Sequence, residues 1–319
     1  ASDVYKRQNE KREQFKNKWD INSVYENYET MIKEEKPDIV AICTKADVHS
    51  EIGIKVSNLN VPMIYLEKAK ACSLKESDLL KSTCLKNKTI FNTGVMRRFD
   101  SVYNTVHKLI NSGAIGTLES IIQYAHTTLL HGHIHSIDTI SFLNNDTKIK
   151  GIRGHLSTSP APWEPLTISN DISFTNNKLE SDPSSTFELV FENDVKAWSI
   201  PTGKWGFEII GTEGSIRTYE NEREIILRQA DKTLQKKVKG KIYSPYKSKN
   251  IPEENPKSAT QVALEDLVNA FENNQTTKSN IKHSCEIFET CMAISESHKN
   301  NNSWITLPLK IRDTYIFHI

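Results

Sequence analysis

The chain has 319 residues, 41 Lys+Arg against 40 Asp+Glu, and a net charge of +1. That length suits about two domains, and the balanced charge argues against a nucleic-acid binder, which carries a basic excess on one face. No run reaches the ~20 apolar residues of a membrane span, and the first twenty residues are too polar for a secretory signal, so a cytoplasmic setting without a membrane partner is expected.

Five scattered cysteines (Cys43, Cys72, Cys84, Cys285, Cys291) lack CxxC spacing and read as reduced thiols without a zinc module. The chain opens ASDVYKRQ, without Met. The codons GAT GTG TAT AAG AGA CAG spell DVYKRQ, the end of a common transposon-derived sequencing adapter. Residues 1–8 are therefore expected to be adapter-derived, ahead of an open reading frame cut at its 5′ end.

Residues 10–19 predict a charged helix with Phe15 and Trp19 one turn apart. A short strand follows at 23–25 and a helix at 28–35, stopped before Pro37. DIVAICT (38–44) is a continuous apolar run, suited to a strand buried on both faces of a parallel sheet. A helix (49–58), a second buried strand (61–66), a helix opened by a Ser73/Glu76 capping box and a third strand (89–93) follow. Strand and helix alternate as in a doubly wound α/β domain.

The pattern then changes. Residues 101–111 predict a helix ended at Gly113, 117–125 a strand, and 134–143 a helix. From 152 to 227 short periods predict antiparallel strands with turns at 192–194 and 211–214. Residues 240–257 read as a surface loop, 261–273 and 281–298 as amphipathic helices, and 306–309 as a last strand. Trp163 and Trp205 are expected in the core or along a cleft.

In order, Thr44 and His49 after the first strand, Glu67-Lys68 after the second, Arg97-Arg98-Phe99-Asp100 after the third, Gly113 and Gly116, His135 and Asp138 on a helix, and Glu208 to Gly214 resemble the Gfo/Idh/MocA oxidoreductases. The resemblance covers about residues 10–309. It implies an α/β fold class: an incomplete Rossmann-like parallel sheet domain (1–112, NAD(P)-binding), then an α+β domain with an open antiparallel sheet (113–319) for substrate and oligomerisation. It also implies NAD or NADP as cofactor, a sugar, cyclitol or related alcohol as substrate, no nucleic-acid partner, and a homo-oligomer.

One family feature is absent. No G-x-G-x-x-G phosphate loop occurs, and the family would place it about 30 residues upstream of the first strand. The chain as given is therefore expected to bind dinucleotide weakly and to be impaired in activity, with strand 38–44 exposing an unpaired edge.

Alcohol oxidation needs a base for the hydroxyl proton and a cation for the developing alkoxide. The resemblance implies Lys68, His135 and His131 as catalytic residues, and Thr44, His49, Glu67, Lys68 and Arg98 as cofactor-binding residues. In the family the histidine segment commonly reads D-x-G-x-H-x-x-D. Here His131 stands at the Asp place and His133 at the Gly place, while His135 and Asp138 match, so base assignment between His131 and His135 stays open. Asp138, three residues on, is a candidate to orient His135. Ala69 stands where Pro is usual. Two other readings stand beside this one: a non-catalytic sugar sensor on the same scaffold, and a zinc hydrolase or lyase using H-x-H-x-H. No metal is expected on the first reading.

Overall fold

A computed structural model describes residues 4–5, 9–157, 172–219, 224–254 and 256–318; Trp163 lies outside the described residues. The strand β1 (Val4–Tyr5), helix α1 (Asn9–Trp19) and strand β2 (Val24–Tyr25) form a small parallel unit. Helix α2 (Tyr28–Glu35) is capped by the Asn27 side chain and closes with Lys36 in the left-handed region, just before Pro37.

Then β3 (Ile39–Ile42), α3 (Ala46–Asn58), β4 (Met63–Leu66), α4 (Leu74–Asn87) and β5 (Ile90–Thr93) build a parallel sheet in the order β3-β4-β5. The apolar run of β4 is buried at every position because it lies in the middle. The Ser73/Glu76 capping box forms as predicted. Strand β3 pairs only with β4, so its other edge is unpaired among the described residues, and Ala41 there is exposed.

A 3-10 turn (Met96–Phe99) and α5 (Ser101–Asn111) lead to β6 (Leu118–Tyr124), α6 (His133–Leu143), β7 (Ile149–Ser157), β8 (Lys178–Leu179), β9 (Ser184–Phe191), β10 (Lys196–Ile200), β11 (Gly206–Gly211), β12 (Gly214–Tyr219) and β13 (Glu224–Ala230). The hairpin β14 (Lys236–Val238) and β15 (Lys241–Tyr243), then β16 (Tyr246–Ile251), α7 (Ala259–Glu272), α8 (Ile281–Lys299) and β17 (Tyr315–Ile316) complete the described elements. Eight strands join in the order β16-β13-β12-β11-β6-β10-β9-β7. All neighbours run antiparallel except β6 and β10.

Helix α8 lies on this sheet at Gly154. A Cβ there would sit 2.5 Å from the Thr186 carbonyl oxygen and 2.7 Å from Ile294, so only glycine allows the approach. The later helices also cover the first sheet. Ala263 and Leu267 of α7 pack with Met63, Tyr65 and Phe99. Ile281 and Cys285 of α8 pack with Ile64, Leu66 and Phe91.

Two expectations are corrected. Residues 240–257 are not simply a loop, since they hold β15 and β16. Strand β16 is exposed almost throughout, so no alternation marks it, and its lysines suit a sheet edge. Residues 306–309 form no strand; Pro308 lacks the N–H a ladder needs, and the late strand is Tyr315–Ile316, paired with β8.

Candidate active site

The carboxyl ends of β3, β4 and β5 bring Thr44, Glu67 and Gly94 to one edge of the parallel sheet, where open α/β sheets take ligands. Thr44 is exposed. The Glu67 carboxylate accepts from the Tyr65 hydroxyl at 3.2 Å and the Lys68 N–H at 3.2 Å. Gly94 makes room for it: a Cβ there would lie 2.5 Å from a Glu67 carboxylate oxygen. His49 is buried, with Nδ1 2.8 Å from the Ala69 carbonyl oxygen and Nε2 2.9 Å from that of Thr44. Its ring thus ties the loop after β3 to the loop after β4. The Lys68–Ala69 peptide is cis, and Ala69 is buried.

Lys68 reaches from that edge to the turn before α6. Its Nζ lies 3.0 Å from His131 Nδ1 and donates to the His131 carbonyl oxygen at 3.2 Å. Burial pushes the Lys68 amine below its ordinary pKa; Glu67 and Asp182 pull against that, and Arg97 adds to it. Burial and then the Lys68 charge lower His131. The turn itself is held by Asp182, which accepts the N–H groups of Leu130 at 2.8 Å and His131 at 2.7 Å.

His135 sits one helical turn further. Its Nδ1 is buried without a hydrogen-bond partner among the described residues. Burial, then the nearby Arg97 and Lys68 charges, push its pKa down to about 3, so the ring is neutral at any physiological pH. His133 does not join it. Both lie in α6, where a two-residue step turns about 200°. His133 instead points inward, donating from Nε2 to the Ser185 carbonyl at 2.7 Å, with Nδ1 3.2 Å from Ser136 Oγ. The extended H-x-H-x-H comb is therefore not formed, and no group of three His, Cys, Asp or Glu side chains suited to a metal occurs among the described residues.

Asp138 makes no hydrogen bond to His135 among the described residues, though its charge acts on that ring. Its buried carboxylate takes Arg98 Nε at 3.0 Å and 3.1 Å and His283 Nε2 at 2.8 Å. Arg98 is 1% exposed and also bonds Asp146 and the Lys278 carbonyl. Burial would raise the Asp138 pKa, but the guanidinium and His283 hold it below the usual carboxylate range. Arg98 is thus a clamp joining the turn after β5 to α6 and α8. The arginine on the Lys68–His135 side is Arg97, stacked 4.2 Å from the Trp205 ring. Successive residues of a 3-10 turn point about 120° apart, so the pair divides its tasks. Sequence reasoning missed Asp182 and His318, the latter 3% exposed with its ring 5.5 Å from that of His131. No local motif marks either, because both arrive from distant segments.

At the strand ends an exposed Thr44 and the Glu67 carboxylate, seated where a Cβ at residue 94 would lie, are the groups that would meet the nicotinamide–ribose end of a dinucleotide. The pyrophosphate end has no matching cradle among the described residues, since the first glycine of the chain is Gly53, inside α3.

The parallel sheet thus presents its strand ends to a site lined by cations and imidazoles, where open α/β sheets take ligands. Residues 1–95 match the family model described as oxidoreductase family, NAD-binding Rossmann fold (Gfo/Idh/MocA). That match covers under a third of the chain.

The chain is 25% identical over 197 residues to scyllo-inositol 2-dehydrogenase (NAD(+)) of Bacillus subtilis, covering 56% of this chain and 54% of that protein. It is 28% identical over 103 residues to myo-inositol 2-dehydrogenase of Thermotoga maritima, covering 32% and 30%. The chain thus spans about half the length, or less, of the curated relatives it matches. Levoglucosan dehydrogenase in complex with NADH and levoglucosan shares the fold, with a TM-score of 0.76 at 17% identity over 97% of this chain and 90% of that one. An oxidoreductase domain protein from Kribbella flavida does so with a TM-score of 0.75 at 16% identity over 96% and 90%. No helix among the described residues is long and apolar enough to cross a membrane.

Proposed function

We propose that this protein is an NAD(P)-dependent oxidoreductase of sugar-like or cyclitol alcohols. The observation that carries the reading is the Lys68–His131 pair, 3.0 Å apart, at the carboxyl edge of the parallel sheet. Thr44 and Glu67 line the nicotinamide end, and the cofactor, when bound, accepts the hydride. Lys68 meets the substrate hydroxyl and, 3.0 Å from His131 Nδ1, gives the hydroxyl proton a path along that pair. His135, held neutral, accepts a hydrogen bond from a second hydroxyl and orients the ring. His49 fixes the two loops, and Arg98 supports the site from behind. The relatives that act on inositols and levoglucosan support the substrate class.

The test is hydride transfer to NAD(+) and NADP(+) over a polyol panel, with Lys68→Met. Loss of turnover in the variant supports the reading. Turnover that survives Lys68→Met overturns the role of Lys68. Cofactor binding without turnover of any alcohol favours the sensor reading, which His131 at the usual carboxylate place supports. Because no pyrophosphate cradle occurs among the described residues, weak NADH binding is expected; a clean low-micromolar titration refutes that. Exposed Val238, Ile242, Tyr243 and Tyr246 beside the open sheet support a homo-oligomer, tested by sedimentation.

A further inference from the structure

We propose that His318 is a positioning residue for the Lys68–His131 pair, delivered by the segment that follows β17. The inference rests on the oxidoreductase reading for its catalytic meaning, but its geometry stands alone.

The segment is pinned along its length. Arg312 accepts the Lys75 N–H at its carbonyl, 2.8 Å away, and its guanidinium bonds Asp78 at 2.7 Å. Tyr315 and Ile316 pair in parallel with Lys178 and Leu179. The Ile316 N–H donates to the Cys72 carbonyl at 2.9 Å and the Phe317 N–H to that of Leu179 at 3.0 Å. Residues from α4's leading loop and from β8 therefore fix where residue 318 falls.

The His318 ring then lies edge-on to His131, with centroids 5.5 Å apart and planes at 65°. Its Nδ1 is 3.8 Å from Asp182 Oδ2, beyond a direct hydrogen bond but within electrostatic reach. Asp182 already holds the His131 backbone, so one carboxylate and one ring fix His131 from two sides. The groups facing His318 are Asp182, Lys68, His131 and His49. Burial, then Lys68, His131 and His49, push its own pKa to about 3, so it packs as a neutral ring. A flat, uncharged wall there limits the rotamers of His131. The imidazole is needed for its shape, so phenylalanine should replace it.

The experiment compares His318→Ala and His318→Phe, with circular dichroism confirming the fold. The first readout is the His131 imidazole titration by NMR, taken without cofactor or substrate, so it stands whether or not the chain turns over an alcohol. The expected result is an upward shift of the His131 pKa in His318→Ala and none in His318→Phe. On turnover, His318→Ala should lower kcat on the order of tenfold with KM little changed, and His318→Phe should restore it. An unchanged His131 titration in His318→Ala, or an equal shift in both variants, overturns the proposal. A chain that shows the shift and binds nicotinamide nucleotide but oxidises no alcohol retains the packing role and loses the oxidoreductase reading.

Discussion

Three imidazoles with depressed pKa values make the fold sensitive to mild acid. His133 is held at about 4, and His135 and His318 at about 3, in each case chiefly by burial. An unfolded histidine titrates near 6.5. The folded pKa is depressed, so the neutral form contributes stability that is fully present above pH 6.5. That stability is lost as pH falls from 6.5 towards 4 and 3. Over the interval the unfolded chain binds up to three more protons than the folded one. The limiting slope is therefore about 4 kcal/mol per pH unit. Between pH 6.5 and 5.5 the unfolded rings only begin to saturate, and the integrated loss is about 3 kcal/mol. Urea unfolding at half-unit pH steps, with linear extrapolation, reads this directly. His133→Gln, which keeps a donor for the Ser185 carbonyl, should remove about a third of the slope. A stability that changes by less than about 1 kcal/mol between those pH values refutes the reasoning.

Asp138→Ala leaves the buried Arg98 with Asp146, the Lys278 carbonyl and the His283 ring, and should cost about 3–5 kcal/mol in urea unfolding; a cost under about 1 kcal/mol would show that the clamp is dispensable. Because Asp138 is held below the usual carboxylate range, its contribution should persist down to pH 4 and fade only as pH drops further. Lys70 is 2% exposed, with its Nζ bonded to the Ser284 carbonyl and set over the Phe288 ring, and burial lowers its pKa. Lys70→Met should raise the thermal midpoint at pH 7, since the unfolded chain then loses its advantage in protonating the amine; a lower midpoint refutes this. Gly94→Ala meets only the end of the Glu67 side chain, so it should leave Tm within a few degrees while weakening nicotinamide nucleotide binding, as read by calorimetry.

Local chemistry made the parallel sheet readable. The apolar runs at 38–44 and 61–66 and the Ser73/Glu76 capping box carry their meaning within a few residues. The edge strand β16 was not readable, because exposure on both faces removes the period-two signal. Within the site, sequence order brought Lys68, His131 and His135 to one region, but not their partners. Asp138 looked like a helper for His135 by spacing alone; Arg98 and His283, from other elements, claim its carboxylate instead. Adjacent Arg97 and Arg98 could be told apart only once the 3-10 turn aimed one at Trp205 and buried the other.

The covering of the first sheet by α7 and α8 also imposes an order of assembly. Met63 and Tyr65 find Ala263 and Leu267 roughly two hundred residues further along, a closure that slows folding. During synthesis the apolar faces of Ile64, Leu66 and Phe91 wait until the helices carrying Ile281 and Cys285 have emerged. In that interval, chaperones that hold extended apolar strands compete directly with completion of the sheet.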